Sequence, residues 1–460
     1  MNKKSRTIDI ILNSVISLLV ISMLLLTVLF AFNNTMKSSG KAETFDKLWI
    51  VEDTEEIAFS QFDISYIVPE LIAYKLYPDD AVATTGDQTL TSTLYSVLSD
   101  AVSLVLGSDS VCITENISYI DSIDKLKNAD SFILFNYAAA LPYQSIYAFT
   151  SAQSTVDSSM CAKGDSASIK TLALILEKDA DGGLYYSCYG FTDDSACKFE
   201  HSNGTLYKLQ TADRIYLEAY TDNLNKVDFA QYDSLELLHG SFGYYPIYES
   251  SDIAMLSFEN EEARNDLLRL FQINPEKTNN YIDRDGSVIF IGTGERLSVN
   301  ADNSLEYSGE NGVISLKELL GYTPGQKGAF SVFDMLKATN IFINNIKSKY
   351  PEFFGNNATT LLTGFYKDEY ERPVIEYSYY FNGIKIDTKP AFRFVFNSDG
   401  ICVLESNIAG YTSDTQKSAM AAKSDVYNVL LQKHGNINRL MPVYSQGDDG
   451  IYRIKWALWQ

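Results

Sequence analysis

The sequence predicts an α+β fold in which a single N-terminal transmembrane helix precedes a multi-domain extracytoplasmic region with antiparallel sheets. Three observations carry that expectation. Ile10–Phe32 holds no charged residue, and at about 1.5 Å of rise per residue such a run crosses a hydrocarbon core of roughly 30 Å. Beyond it, apolar residues repeat at helical spacing in some stretches and alternate in others, so helices and strands interleave. Turn signals such as Asp285-Gly286 and Asn382-Gly383 separate the alternating stretches at hairpin spacing.

Residues 1–9 form a short tail and residues 10–32 the span. Lys3, Lys4 and Arg6 precede it while Lys37 and Lys41 follow, and this slight excess of early positive charge places the N-terminus in the cytoplasm. The bulk of the chain is then outside, on a single-pass protein of the cell membrane. No small-x-small site adjoins Phe32-Asn33-Asn34-Thr35, so an uncleaved signal anchor is preferred to a signal peptide. At about 100° per residue Asn13, Ser17 and Thr27 share one side of the helix. They form a stripe facing another helix, or, more blandly, bond back to their own backbone.

Residues 33–45 are small and polar, as a tether requires. An N-terminal α+β domain is expected at 46–210. Leu94, Val97, Leu98, Ala101, Val102 and Val105 repeat at helical spacing, and Gly107 stops the pattern. Ser131–Tyr137, Thr171–Glu177 and Leu184–Phe191 read as strands. A central α+β domain at 211–325 holds a helix at Asn260–Phe271, ended by Asn274-Pro275. A meander follows through Tyr281–Arg284, Ser287–Ile291, Leu297 with Val299, and Leu305 with Tyr307. A C-terminal α+β domain at 326–460 opens with a helical stripe of Val332, Met335, Leu336, Phe342 and Ile346, ended by Pro351. Ile375, Tyr377, Tyr379 and Phe381 alternate on one strand, and Phe392, Phe394 and Phe396 on another. A second helix carries Ala419, Ala422, Val426, Val429 and Leu430 on one side. Lys433 and His434 sit in its last turn and Gly435 caps it. Tyr452, Ile454, Trp456 and Leu458 form a closing strand.

The chain has 460 residues, 46% of them hydrophobic, which is enough to bury a core. Asp and Glu number 59 against 37 Lys and Arg, a net charge of −22. Phosphate backbones repel such a surface, so nucleic acid is excluded as a partner. Chemistry-bearing patterns are scarce. The cysteines at 112, 161, 188, 197 and 402 include no CxxC. The spacing of Cys188 and Cys197 across a turn is compatible with a hairpin disulfide, but burial as small hydrophobic residues is preferred. His201, His239 and His434 make neither HxH nor HExxH. Gly292-Thr293-Gly294 lacks the remainder of a phosphate loop and reads as a turn. Asp283, Asp285 and Gly286 fit a hairpin turn rather than a calcium loop, whose glycine would fall at Val288. No catalytic residue, cofactor or metal is therefore expected, and the chain reads as a non-enzyme.

One local pattern resembles a known family. Asn274-Pro275, Tyr281-Ile282-Asp283-Arg284-Asp285-Gly286-Ser287, Leu297-Ser298-Val299 and Leu305-Glu306-Tyr307 look like the central run of the YycH family, membrane-anchored regulators of the YycFG (WalRK) two-component system. Ser131-Phe132-Ile133-Leu134-Phe135 with Ala140-Leu141-Pro142 is a weaker match, and residues 326–460 resemble the module that YycH proteins share with YycI. The likeness covers nearly the whole chain, through turn and strand residues. It implies a two-component system regulator acting in cell wall homeostasis. The implied partners are a sensor histidine kinase of the YycG/WalK type, a YycI-like protein and the lipid bilayer through residues 10–32. The alternative expectation is a membrane-tethered cell-envelope enzyme or a glycan- or peptide-binding protein.

Overall fold

Alternation in Leu71-Ile72-Ala73-Tyr74 sends Leu71 and Ala73 to one side of a strand and Ile72 and Tyr74 to the other, each into its own apolar cluster. This is β1 (Leu71–Lys75) of an eight-stranded sheet. The other strands are β2 (Val82–Ala83), β3 (Val111–Ile117), β4 (Phe132–Pro142), β5 (Ser168–Lys178), β6 (Leu184–Phe191), β7 (Ala196–His201) and β8 (Asn225–Lys226). They run in the order β3-β7-β6-β5-β4-β1-β2-β8, with every neighbouring pair antiparallel. Two apolar faces need two covers. Helix α1 (Gln88–Leu106) supplies Leu94, Leu98 and Val102 to one face, where α3 (Tyr143–Thr150) adds Ile146. Helix α2 (Tyr119–Lys127) places Ile123 and Leu126 on the other. A two-stranded ribbon, β9 (Asp228–Phe229) with β10 (Leu237–Leu238), adjoins this second face.

The structure is a computed structural model that describes residues 69–458, apart from 77–78, 85–87, 107–110, 151–167, 179–183, 193, 202–216, 222–223, 231–234, 241–242, 252–260, 303, 310–311, 322–329, 352–357, 436 and 438. The described residues belong to one compact unit, 58–151 with 156–460. The expected transmembrane helix at 10–32, its stripe Asn13, Ser17 and Thr27, and the tether at 33–45 lie outside them. Among the described residues no helix is long and apolar enough to cross a membrane. The fold class is corrected accordingly, to α+β with mixed sheets. The signal anchor and the single-pass topology, cytoplasmic at its N-terminus, are not carried forward.

The second sheet has fourteen strands. They are β11 (Gly243–Ser251), β12 (Asn279–Ile282), β13 (Val288–Ile291), β14 (Glu295–Val299), β15 (Ser304–Gly309), β16 (Ile314–Ser315), β17 (Thr359–Lys367), β18 (Pro373–Phe381), β19 (Ile384–Ile386), β20 (Phe392–Phe396), β21 (Gly400–Asn407), β22 (Gly410–Met420), β23 (Leu440–Gln446) and β24 (Ile451–Leu458). Its main path is β12-β13-β14-β15-β21-β20-β18-β19-β23-β24-β11-β22, with β16 on β21 and β17 on β18. The expectation of antiparallel sheets is corrected at one place. β19 and β23 pair in parallel, Lys385 opposite Val443, because the chain crosses from one meander to the next there.

Helices α4 (Glu261–Leu270), α5 (Leu316–Leu320) and α6 (Val332–Lys349) pack on this sheet. Ser331 and Asp334 form a reciprocal capping box that starts α6. Phe342 then meets Phe394 edge to face at 5.8 Å and Phe271 at 5.3 Å. Asn382 and Gly383 take φ of +47° and +79° in the tight turn joining β18 to β19, as that turn requires. A last helix, α7 (Lys423–His434), ends at Gly435, whose φ of +74° lets its N–H reach the Leu431 carbonyl. The expected apolar stripe of α7 is corrected. Ala419 lies in β22 opposite Tyr244, and Val429 is 64% exposed. Pairing with β11 overrides a helical period that ran about one turn too far toward the N-terminus.

Cys188, Cys197 and Cys402 are buried free thiols. Cys188 stands opposite Phe199, and Cys197 opposite Gly190, so the two thiols are diagonal neighbours rather than a facing pair. Burial, then the neighbouring Cys197, pushes the Cys188 thiol well above its ordinary value.

One turn makes a pH prediction. Asp449 accepts bonds from Arg453 at 2.9 and 2.7 Å and from the Ile451 N–H at 3.2 Å. The Arg453 hydrogen bonds, followed by that backbone bond, lower its carboxyl to about 2. A depressed carboxylate contributes stability above its unfolded value and loses it as pH falls through the folded one. The contribution of this turn should persist down to the ordinary carboxylate range and vanish near pH 2. A carboxyl NMR titration placing Asp449 near 4 would contradict this.

Candidate functional site

The alternation that turns Leu71 and Ala73 toward α2 also turns Lys75, at the end of β1, to the same side. Phe132 of β4 lies directly opposite it, and its ammonium donates to the Ala129 carbonyl at 3.0 Å. Lys127 sits in the last turn of α2, where the carbonyl end of the helix favours a cation. Lys226 comes from β8, at the edge of the sheet. Its ammonium bonds the Asp80 carboxylate at 2.9 Å. These three lysines line a single cleft of about 390 Å³ together with Asp80, Ala81, Phe132, Val227, Asp228, Phe229, Leu238 and Gly240. That volume is at the small end of the about 300–1,000 Å³ typical of small-ligand sites.

The floor of the cleft is apolar. The Phe132 and Phe229 rings lie 5.5 Å apart, tilted by 49°, and Phe132 is almost fully buried behind Phe229. At Gly240 a Cβ would meet nothing within 4 Å, so the wall is open there. Charge sits on the rim. The hydrogen bond from Lys226, and then its charge, hold the Asp80 carboxyl below the usual range, and the same contact raises Lys226. Asp228 is turned to its own strand, accepting the Phe229 N–H at 2.8 Å.

The far wall is held in place from behind. Leu238 packs against Tyr427 of α7 and Leu440 of β23. Lys423, at the start of α7, pairs with the buried Glu236 next to β10 and lies 5.8 Å from the centre of the Trp456 ring. The Ser424 N–H donates to the His239 carbonyl at 3.3 Å. The cleft is thus lined by the first sheet and its ribbon, and the ribbon is fixed by elements of the second.

Other polar clusters are structural in geometry. At Glu177, burial raises the carboxyl, but hydrogen bonds from Ser187 and Tyr189 and the charge of Lys125 outweigh it and leave it lowered. Asp285 accepts the Ser287 N–H at 2.9 Å in a hairpin turn, and Gly292–Gly294 forms the next turn, closed by Gly292 N–H on the Glu295 carbonyl. Among the described residues no group of three His, Cys, Asp or Glu is placed to hold a metal ion. The lysine cleft was not visible in the sequence. Its amines lie far apart in the chain, and each is ordinary at its own position.

No family model and no curated protein matches the chain. Among solved structures, the chain is similar to the crystal structure of an uncharacterized protein from Eubacterium rectale ATCC 33656. Identity is 10% and the TM-score 0.24, over 51% of this chain and 80% of that one. A likeness of that size carries no argument about fold or activity.

The YycH expectation is corrected. With no family model matching, membership of that family and regulation of a two-component system in cell wall homeostasis are withdrawn. The tethered-envelope alternative is withdrawn with them, since the anchor it relied on lies outside the described residues and no helix among those is long and apolar enough to cross a membrane. The residues behind the resemblance form β12 to β15, a plain antiparallel meander. Asp-Gly turns and alternating strands are what any such meander needs, so they do not distinguish a family. The kinase and the YycI-like protein followed from that resemblance alone.

Proposed function

We propose that the described part of this chain is a non-catalytic binding module whose lysine-lined cleft holds a small anionic ligand. The observation that carries this reading is the convergence of Lys75, Lys127 and Lys226, from two strands and a helix, on one cleft of a chain whose net charge is −22. In so acidic a protein, ammonium groups gathered around an apolar floor create a local field that attracts anions and guides their approach. Binding rather than turnover is favoured by Asp80. Its carboxyl is shifted down, whereas a general acid working near neutral pH needs one shifted up.

Calorimetric titration of the full chain with acetate and with inorganic phosphate tests the proposal. Hydrogen bonds to charged groups contribute about 1.5–3 kcal/mol, so Lys75→Gln or Lys127→Gln is expected to weaken anion binding about 10-fold or more. Raising the salt concentration should weaken it further, because these rim charges are partly open to solvent. An affinity that a Lys75→Gln/Lys127→Gln/Lys226→Gln variant leaves intact would dismiss the cleft as an anion site.

A further inference from the structure

We infer that the anion taken by this cleft carries a flat ring, so that an aromatic carboxylate, not a bare inorganic anion, is the class of ligand it is built for. The inference rests on the anion-binding reading above and extends it to the rest of the ligand. A site for phosphate alone needs donors and little else. Here the donors stand over a floor of Phe132, Phe229, Val227 and Leu238, joined by Ala81. This floor is not an accident of an exposed edge. Phe132 and Val227 are buried in the cluster that α2 covers, and Leu238 is braced by α7.

The ring geometry favours a planar occupant over an aliphatic one. Phe132 and Phe229 meet at 49° and 5.5 Å, leaving part of the half-buried Phe229 ring on the cleft side. Aromatic groups add to such a pair in offset or edge-to-face contacts, which an alkyl chain cannot make. The opening at Gly240 gives the ring somewhere to extend, since no atom stands within 4 Å of where its side chain would begin. The carboxylate of the ligand would reach the ammonium groups at the rim, where Lys75 already spends one donor on the Ala129 carbonyl and has others to offer.

The test compares four probes on the full chain by calorimetry: acetate, inorganic phosphate, 2-naphthoate and the neutral 2-naphthylmethanol. The expected result is 2-naphthoate binding at least about 10-fold more tightly than acetate, with the alcohol weaker than the carboxylate. Phe229→Leu, which keeps an apolar side chain but removes the flat face, should bring the ratio of 2-naphthoate to acetate affinity close to one. Gly240→Leu should weaken 2-naphthoate more than acetate, lowering the ratio of their affinities. Its φ is not in the left-handed region, so the substitution adds no backbone strain. Thermal melts of both variants separate loss of the ring site from loss of the fold. Acetate or phosphate binding as tightly as 2-naphthoate, in a lysine-dependent way, overturns the ring inference and leaves the anion reading standing. Binding by no probe, or equal binding of 2-naphthylmethanol and 2-naphthoate with no effect of the lysines, overturns both.

Discussion

Replacing Phe394 by alanine is expected to lower the free energy of unfolding by about 3–5 kcal/mol. Phe394 lies in β20 and is fully buried. Its ring meets Phe342 of α6 edge to face at 5.8 Å and Tyr377 of β18 at 6.1 Å, and stacks on Phe392 at 6.1 Å. The substitution removes the transfer free energy of the ring and leaves a cavity whose walls cannot close. β20 is hydrogen-bonded on both sides, to β18 and β21, and Tyr377 is pinned through its hydroxyl to Asn340 at 3.0 Å and Thr339 at 2.6 Å. Since whole domains are stable by about 5–15 kcal/mol, the variant should unfold at a much lower urea concentration. Phe394→Leu, which refills most of the space, should cost less. An unchanged urea midpoint for the alanine variant would mean that α6 does not pack on β20 as described.

The second large effect concerns an ion pair that joins the two sheets. Arg439, just before β23, bonds Glu70, just before β1, at 2.9 Å, and their side chains are only 18% and 13% exposed. The Glu70 N–H is itself bonded to the Asn136 carbonyl of β4 at 2.7 Å, so the carboxylate is anchored to the first sheet while the guanidinium belongs to the second. Close by, the buried Tyr380 hydroxyl is raised well above its ordinary value by burial, and then by the charge of Glu70. Arg439→Met should therefore cost about 3–5 kcal/mol, because it strands a largely buried carboxylate. Arg439→Met combined with Glu70→Gln should regain most of that loss, since no uncompensated charge remains. Equilibrium unfolding of the four members of this double-mutant cycle measures the coupling. Strictly additive costs would show that the two side chains do not sense one another.

Local structure was read from the sequence wherever a short-range signal controlled it. The strand Leu184–Phe191 was expected at the bounds it has. Likewise α6 ends at Lys349, just before Pro351, and the Asn382-Gly383 turn has the positive φ angles it was expected to supply. These features depend on residues within a few positions of one another. What failed depended on distant partners. Ala419 and Ala422 fit a helical period, yet β11, far earlier in the chain, claims residues 410–420 as a strand. The parallel pairing of β19 with β23 has no local mark at all. The cleft is the extreme case, since Lys75, Lys127 and Lys226 are each ordinary at their own positions, and only the strand order β4-β1-β2-β8, with α2 packed on that sheet, brings them together.

The place of β24 has a consequence for assembly. Residues 451–458 lie between β23 and β11, and β11 in turn holds β22 at the margin of the sheet. A chain lacking residues 451–458 can therefore assemble the meander of β12 to β15, but the paired β11 and β22 have no sheet to join. Two unsatisfied borders wait until the missing rung arrives, and such borders are where growing polypeptides stick to one another. A chain cut after residue 450 should thus leave both borders open and aggregate more readily than one that includes β24.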